Sequence, residues 1–532
     1  MRIESLDLSE ARAAIKPMSR QPASRPRAFG GAEMGRLTQD WVTSLRSIDI
    51  ELREQGLVLR RRAREMASSN PHAAKFLRLV TKNVLGADGI KLQPKNMMQR
   101  ASGGKGPMPN QKLNQAIFDA FMEWCKKSNC TIERKYTFIR AKHLTLRTVA
   151  KDGEVLVRRI SDSSNPFGMC IQLINPDQLA FDFNTTSPTG NQVRMGVEAD
   201  GNGRATAYWI YDRNPFDYGY APANRIRVPA SDILHLFLPM EIGQSRGFTW
   251  FAPAMYQMHQ LRRYAEAEEI AARVGASQMG GITMDLPESG QFTGQGSVDG
   301  NEIDNGRTQQ AAVEPGGLAI LAPGEHIEMF KPEHPTAAFK PFMDACLMGV
   351  AAGLDCSYMA LTGDLSNASY SSARVGLLDE RDSWAELQTW FIEEFCEPIF
   401  SWWLESAFIN YAPLRSVLTS WNWRDYDNAI WHPRSFPWVD PQKDATAEQI
   451  RVLLGFTTRS RVLGAQGYDF EETVGEWINE AKMIQDKAIA AGLDPAIVAA
   501  MMTGSTETIR ATGAQQAESD TAVAPATQAA TT

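Results

Sequence analysis

A chain of 532 residues exceeds the size at which one hydrophobic core usually keeps growing, so two or more structural units are expected. Its hydrophobic content of 43% and charged content of 22% are ordinary for a globular protein, and a net charge of −7 argues against a chain wrapped tightly on nucleic acid. No apolar run is long enough to span a membrane, and the start of the chain, with Glu4, Asp7 and Glu10 and no apolar core, does not read as a secretory signal.

Residues 1–35 mix Pro22, Pro26, Gly30 and Gly31 with scattered arginines and read as a loosely held arm. A helical pattern follows from Thr38 to Met66 and carries the densest basic cluster, Arg60, Arg61, Arg62 and Arg64. Such a cluster could contact phosphate, but an exposed helix face paired with acidic neighbours is the commoner use of this pattern. Asn70-Pro71 breaks the helix, Ala73 to Val84 starts another that ends at Gly86, and Lys112 to Cys125 turns Ile117, Phe118, Phe121 and Trp124 inward. After Asp152-Gly153 the period becomes that of strands: Val155, Val157 and Ile160, then Ile171 and Leu173, then Tyr208, Ile210 and Tyr211, then Ile233 to Leu238. Asp200-Gly201-Asn202-Gly203 is a strong hairpin turn. Helices followed by an antiparallel sheet make an α+β fold.

Thr249 to Ala276 is a second long helix, with Met255, Met258, Leu261, Tyr264 and Ala271 along one side and an alanine-rich second half that suits close helix packing. Gly, Ser, Gln, Asn and Asp dominate 288–306, an exposed excursion, and a strand over 316–321 returns from it to the turn Pro323-Gly324. From Thr336 to Val350, Phe339, Phe342, Met343, Cys346 and Val350 recur at helical spacing, and Gly353 ends the helix. Leu354 to Tyr370 holds no Lys or Arg. Its Gly363, Asp364, Ser366, Asn367 and Ser369 favour turns, so it reads as a polar, mobile loop. Ser371 or Ser372 can cap the long helix that follows, which carries eight acidic residues against one basic, Arg381, between Leu377 and Tyr411. Trp384, Leu387, Phe391, Phe395, Ile399 and Trp402 share one side of it; Asp379, Glu380, Asp382, Glu386, Glu393, Glu394 and Glu397 are placed to face water, and Pro398 should bend it. The aromatic segment with Trp421, Trp423, Trp431, Phe436 and Trp438 suits a sheet edge. Four helices follow, Ala445 to Leu454, Thr458 to Gly464, Phe470 to Ala490 and Asp494 to Met502, and the polar tail from Thr503 to Thr532 reads as disordered.

The six cysteines, Cys125, Cys130, Cys170, Cys346, Cys356 and Cys396, show no zinc-site spacing and read as reduced thiols. None of the seven histidines sits in His-Glu-x-x-His, and His326-Ile327-Glu328 lacks the downstream cysteines of a zinc deaminase, so neither metal nor cofactor is expected. No phosphate-binding Gly-x-x-x-x-Gly-Lys motif is present. The one formal catalytic match is Gly243-Gln244-Ser245-Arg246-Gly247, a Gly-x-Ser-x-Gly sequence between a strand and a helix, which His432 and one of several Asp residues could complete as an esterase built on Ser245. Against it, Pro239 and Glu241 separate the strand from the turn, and the alternating parallel units of a hydrolase sheet are missing.

Taken together, the chain resembles the lambda-type portal proteins of tailed bacteriophages. The resemblance rests on Val228-Pro229-Ala230-Ser231-Asp232-Ile233-Leu234-His235-Leu236-Phe237, on Gly243 to Gly247 leading into the long helix, on Ala351-Ala352-Gly353-Leu354-Asp355-Cys356-Ser357-Tyr358 followed by Ser369-Tyr370-Ser371-Ser372-Ala373-Arg374, and on Trp438-Val439-Asp440-Pro441. It implies a ring, usually of twelve subunits, at one capsid vertex of the virion, assembled in the host cytoplasm, through which double-stranded DNA is packaged and later ejected. It further implies a wing over 36–248, a first stem helix over 249–276, a clip over 277–335, a second stem helix over 336–353 and a channel loop over 354–371. A long wing helix over 372–411, wing strands over 412–444, crown helices over 445–502 and the tail over 503–532 would complete the chain. The partners implied are the large terminase subunit, head-completion or adaptor proteins, and the major capsid protein, with no membrane and no enzymatic activity. Asn367, Ser369, Tyr370 and Ser371 are then the residues expected to touch DNA, with Lys340 and Arg374 as candidate cations near the channel. A capsid-associated structural protein without a channel is the remaining alternative.

Overall fold

The computed structural model describes residues 36, 45–99, 107–217, 223–277, 281–284, 325–328, 337–366, 369–436, 441–466, 468 and 470–492. The arm over 1–35, the excursion over 288–306, the strand over 316–321, Trp438, the helix Asp494 to Met502 and the tail from Thr503 lie outside the described residues.

Two helices open the fold, α1 (Ile48–Ser69) and α2 (Pro71–Val84). Asn70 ends the first and caps the second: its N–H donates to the Met66 carbonyl, while its side chain accepts from the amides of His72 and Ala73. The break therefore falls at Pro71, whose missing N–H is no loss in a first turn, and α2 starts two residues earlier than the apolar pattern suggests. Strands β1 (Lys91–Pro94), β2 (Met97–Gln99) and β3 (Pro107–Pro109) lead into α3 (Gln111–Trp124), which buries Ile117, Phe121 and Trp124 as expected. A further helix, α4 (Phe138–Asp152), was not foreseen. Its inward face includes Lys142 and Thr145, which interrupt the apolar stripe. Lys142 is buried because its ammonium donates to the Ile90 carbonyl at 2.7 Å and lies over the Phe138 ring.

Gly153, at φ +96°, turns the chain from α4 into the sheets. β4 (Glu154–Ser161) lies between β5 (Met169–Ile174) and β11 (Ile233–Phe237) in an antiparallel three-stranded sheet. β6 (Thr185–Thr186), β7 (Gln192–Arg194), β8 (Val197–Ala199), β9 (Ala205–Tyr211) and β10 (Arg225–Pro229) form a five-stranded one. The Asp200 to Gly203 turn joins β8 to β9, with Asp200 Oδ1 accepting from the amides of Asn202 and Arg204.

Two long helices follow, α5 (Ala252–Ser277) and α6 (Phe339–Gly353), separated in sequence by the paired strands β12 (Gly281–Met284) and β13 (Glu325–Glu328). The helices pack side by side: the Tyr264 ring meets Phe339 and Phe342, and Gln257 donates to the Cys346 carbonyl over Gly349, where any Cβ would crowd it. After the short α7 (Tyr358–Thr362), α8 (Tyr370–Phe391) passes through a π-helical turn at Ile392–Cys396 into α9 (Glu397–Asn410). The interruption expected of Pro398 thus takes the form of a π turn immediately before it, since proline in the first turn of α9 supplies no N–H to the preceding turn. Helix α8 begins at Tyr370, so neither Ser371 nor Ser372 is its cap. Then come α10 (Ala412–Arg415), β14 (Ala429–His432), which pairs with β1 and sets Trp431 opposite Leu92, and the helices α11 (Pro441–Leu453), α12 (Arg459–Ala465, capped by Thr458) and α13 (Phe470–Ala490). No helix among the described residues is long and apolar enough to cross a membrane.

Two cores result. The larger gathers α1 to α4, one face of the β4 sheet, the start of α5, the end of α6 and the α8–α9 rod around an aromatic cluster in which Phe121 touches Trp124, Phe138, Phe400 and Trp403. The smaller joins the two sheets through Leu156, Ile174, Leu179, Tyr208, Ile210 and Ile233.

Candidate functional site

Two regions carry the residues singled out in the sequence: the Gly243 to Gly247 turn and the segment between α6 and α8.

In the turn, the Ser245 hydroxyl donates to Asp49 Oδ2 at 2.7 Å and its amide donates to Oδ1 of the same carboxylate at 2.8 Å. His432 lies in β14, bonded to Gln93. A serine bound directly to a carboxylate, with His432 engaged elsewhere, lacks the serine–imidazole–acid order that the esterase reading requires, so that constellation is not assembled. The turn has a different use. Gln244 accepts from the amides of Met240 and Glu241 and donates to the Arg246 carbonyl, which closes the loop on itself.

Arg246, 1% exposed, points into the protein and grips Glu154, which is fully buried. Its Nε lies 2.8 and 2.9 Å from the two carboxylate oxygens, Nη2 bonds the same group, and Nη1 donates to the Met195 carbonyl at 2.6 Å. Glu154 also accepts from Arg60 Nη2 at 2.5 Å and from the Gly247 amide at 3.1 Å, and its Oε2 lies 3.0 Å from His235 Nε2. Arg60 continues to Asp177 at 3.3 Å, and Arg64 bonds both Asp152 and Asp177. Three guanidiniums therefore face three carboxylates, and neutral His235 completes the cluster. Against the cost of burial, Arg246 and then Arg60 hold the Glu154 carboxyl well below the usual carboxylate range, whereas burial outweighs Glu154 at His235 and lowers its pKa.

The basic cluster of α1 is thus resolved residue by residue. Arg60 and Arg64 pair with acidic neighbours as expected, but Arg60 is buried rather than on an exposed face; Arg61 sits over the Phe216 ring and Arg62 is exposed. Two glycines let the parts close. A Cβ at Gly247 would lie 2.2 Å from the Gly153 carbonyl oxygen, and one at Gly153 would lie 2.3 Å from the Phe248 backbone.

The segment after α6 is not the wholly irregular loop that its composition suggests. Ser357 caps α7 by accepting from the Ala360 amide and donates to Glu380 at 2.6 Å; Leu361 is fully buried in the larger core. Glu380 consequently does not face water: it accepts from Ser357 and from the Trp384 indole. Gly363, at φ +81°, ends the helix. Of the residues expected to touch DNA, Asn367 lies outside the described residues, Ser369 is exposed, and Tyr370 and Ser371 open α8. Lys340 is 65% exposed, bonded to Asp344 at 2.8 Å and 3.6 Å from Asp364; Arg374 pairs with Asp444 at 3.3 Å. Both candidate cations carry local counter-charges, a feature that sequence spacing shows only for the Lys340–Asp344 pair. Among the described residues no cluster of His, Cys, Asp and Glu could hold a metal ion.

Residues 34–388 match the model of a family described as phage portal protein, lambda family. The chain is 31% identical over 465 residues to the probable portal protein of Halomonas phage phiHAP-1, covering 87% of both chains. It is 23% identical over 496 residues to portal protein B of Escherichia phage lambda, covering 88% of this chain and 90% of that one. Among solved structures, the neck of a native gene transfer agent particle is similar at 12% identity and a TM-score of 0.43, covering 77% of this chain and 93% of that one. With this match over most of its length, the chain belongs to the lambda family of phage portal proteins, a structural family.

Proposed function

We propose that copies of this chain close into a ring, of twelve subunits as the family resemblance implies, at one vertex of the virion capsid, and that double-stranded DNA is packaged and ejected through its centre. The observation that carries the reading is the family match over residues 34–388, which spans both long helices, α7 and most of α8. The electrostatics support it. A conduit must pass a duplex bearing one negative charge per roughly 1.7 Å without gripping it. The segment from Leu354 to Tyr370 has no Lys or Arg, and the nearest candidate cations, Lys340 and Arg374, are offset by Asp344, Asp364 and Asp444.

In this reading α5 and α6 are the stem, residues 277–335 the clip that receives the large terminase subunit and later the head-completion proteins, and α11 to α13 part of the crown. Residues 354–371, with α7, are the channel loop; α1 to α4, α8 to α10 and the two larger sheets form the wing, which faces the major capsid protein. Asn367, Ser369, Tyr370 and Ser371 contact the DNA backbone, weakly and without reading sequence. The protein has no catalytic role, and assembly takes place in the host cytoplasm. Native mass spectrometry and negative-stain imaging of the purified chain test the ring: closed oligomers with a central hole are expected, and a persistent monomer overturns the reading. Replacing Tyr370 with alanine and measuring packaged genome length tests the DNA contact, since unchanged packaging and retention remove this residue from the channel.

A further inference from the structure

The loop does more than leave α6; it is tied back to it. Lys340 and Asp344 lie one turn apart on α6, and Asp344 divides its carboxylate between two partners: Oδ2 accepts from Lys340 Nζ at 2.8 Å, and Oδ1 accepts from the Tyr358 hydroxyl of α7 at 2.9 Å. Lys340 also reaches forward to Asp364 at 3.6 Å, and Asp364 in turn organises the next residues, accepting from the Ser366 amide at 2.9 Å and donating its own amide to Thr362 Oγ1 at 3.1 Å. One link is neutral to charged, the other ionic. Both fasten the stretch from Tyr358 to Ser366 to the same side of α6.

Helix α7 needs such support. Five residues give little more than one turn, far short of the length at which a helix persists unaided in water. Leu361 in the core and Ser357 on Glu380 hold it from one side, and Asp344 holds it from the other.

We propose that Asp344 is the positioning residue of the channel loop: by holding Tyr358 and Lys340 together it sets the stance of residues 358–366, and Lys340 serves as a tether rather than as a DNA contact. The functional consequence rests on the reading of 354–371 as a channel loop; the tether itself does not. Because Lys340 is 65% exposed, the ionic half is open to screening and releases in salt, whereas the buried Leu361 contact does not.

The test is amide hydrogen exchange on the full-length assembled ring without DNA, comparing the natural chain with D344N, Y358F, K340M and the K340M/D344N double variant. D344N is expected to speed exchange over residues 363–366 by about three- to tenfold, with smaller effects for Y358F and K340M, while the middle of α6 is unchanged. The double variant exchanges faster than D344N, because K340M also removes the Lys340–Asp364 pair, but by less than the two single effects combined, because the Lys340–Asp344 bond is counted in both. Raising salt to about 0.5 M speeds exchange in the natural chain but not in K340M. An intact D344N ring with exchange over 363–366 within twofold of the natural chain overturns the proposal, as does full additivity in the double variant. Y358F, which removes a single oxygen, keeps the question open to measurement should D344N fail to assemble. Packaging by the same rings judges the underlying reading separately: loosened loops with unaltered genome length and retention leave the tether standing and remove the loop from DNA contact.

Discussion

Replacing Glu154 with glutamine perturbs the fold at its most charged buried point while keeping volume. The carboxylate is fully buried and is the acid that Arg246 binds; Arg60 keeps Asp177 at 3.3 Å, but Arg246 retains only neutral acceptors, the carbonyls of Met195 and Pro176 and the glutamine amide oxygen. A guanidinium 1% exposed is then left without a counter-charge among its bonded partners. Breaking a buried pair from one side costs about 3–5 kcal/mol, because the stranded charge has no solvent to relax into. For a structural unit of this size each kcal/mol moves the melting temperature by about 2–4 °C, so calorimetry of the assembled ring at neutral pH should record a fall of about 6–20 °C. The double variant E154Q/R246M supplies the internal control. Removing the second charge as well eliminates the stranded guanidinium, so the double variant should melt above E154Q. A fall of less than about 2 °C for E154Q, or a double variant whose losses simply add, refutes the assignment of Glu154 as the compensating charge.

Three further outcomes follow from the same geometry. Burial places the folded-state pKa of His235 below its unfolded value of 6.5, with Glu154 of β4, Arg60 of α1, Arg246 and the Tyr208 ring of β9 facing it. The unfolded chain therefore takes up the proton first, so stability is complete above about pH 6.5 and declines as pH falls below it; His72 shares that window, and H235Q should flatten part of the slope in melts between about pH 7 and pH 5. G247A places a methyl group 2.2 Å from the Gly153 carbonyl oxygen and should lower stability by about 3 kcal/mol or more, read as loss of assembled ring and a lower melting temperature. S245A removes the hydroxyl bond to Asp49 but leaves the amide bond, costing about 1 kcal/mol in denaturant titration, and neither it nor the natural chain should react with a fluorophosphonate probe.

What was legible in the sequence had a local cause. The β8–β9 hairpin rests on Asp200 and a glycine turn, the α1–α2 break on Asn70-Pro71, and the buried side of α8 and α9 on aromatic residues at helical spacing. Helix α4 was not legible because Lys142 and Thr145 occupy inward positions, and the Ile90 carbonyl that makes Lys142 tolerable there comes from elsewhere in the chain. Helix α7 was hidden among turn-forming residues whose side chains are instead used as a cap and as anchors, Ser357 to Glu380 and Asp364 to Lys340. The Glu154 cluster lay beyond reach for a stronger reason. Arg60 and Arg246 stand 94 and 92 residues from Glu154, on opposite sides of it in the chain, so no spacing rule connects the three, and a charged residue at the head of an apolar strand is the trace Glu154 leaves.

The Glu154 cluster and the Asp344 tether use the same chemistry, and burial alone assigns them opposite mechanical roles. Around Glu154 the ions are out of water, so opening any pair exposes a neighbour to a desolvation cost of several kcal/mol, and the place where α1, β4 and the start of α5 meet behaves as one rigid block. Around Asp344 water and salt compete for each partner, so every link is weak and opens within thermal reach. A channel that must hold its frame while a charged polymer slides past needs that division. Stiffness belongs where the helices leave the sheets, and compliance belongs at the loop proposed to line the channel. Removing the ionic half of the tether, by apolar substitutions at Lys340 and Asp364, should therefore speed loop exchange without lowering the melting temperature of the ring, because the cooperative unit is set by the buried block and not by the loop.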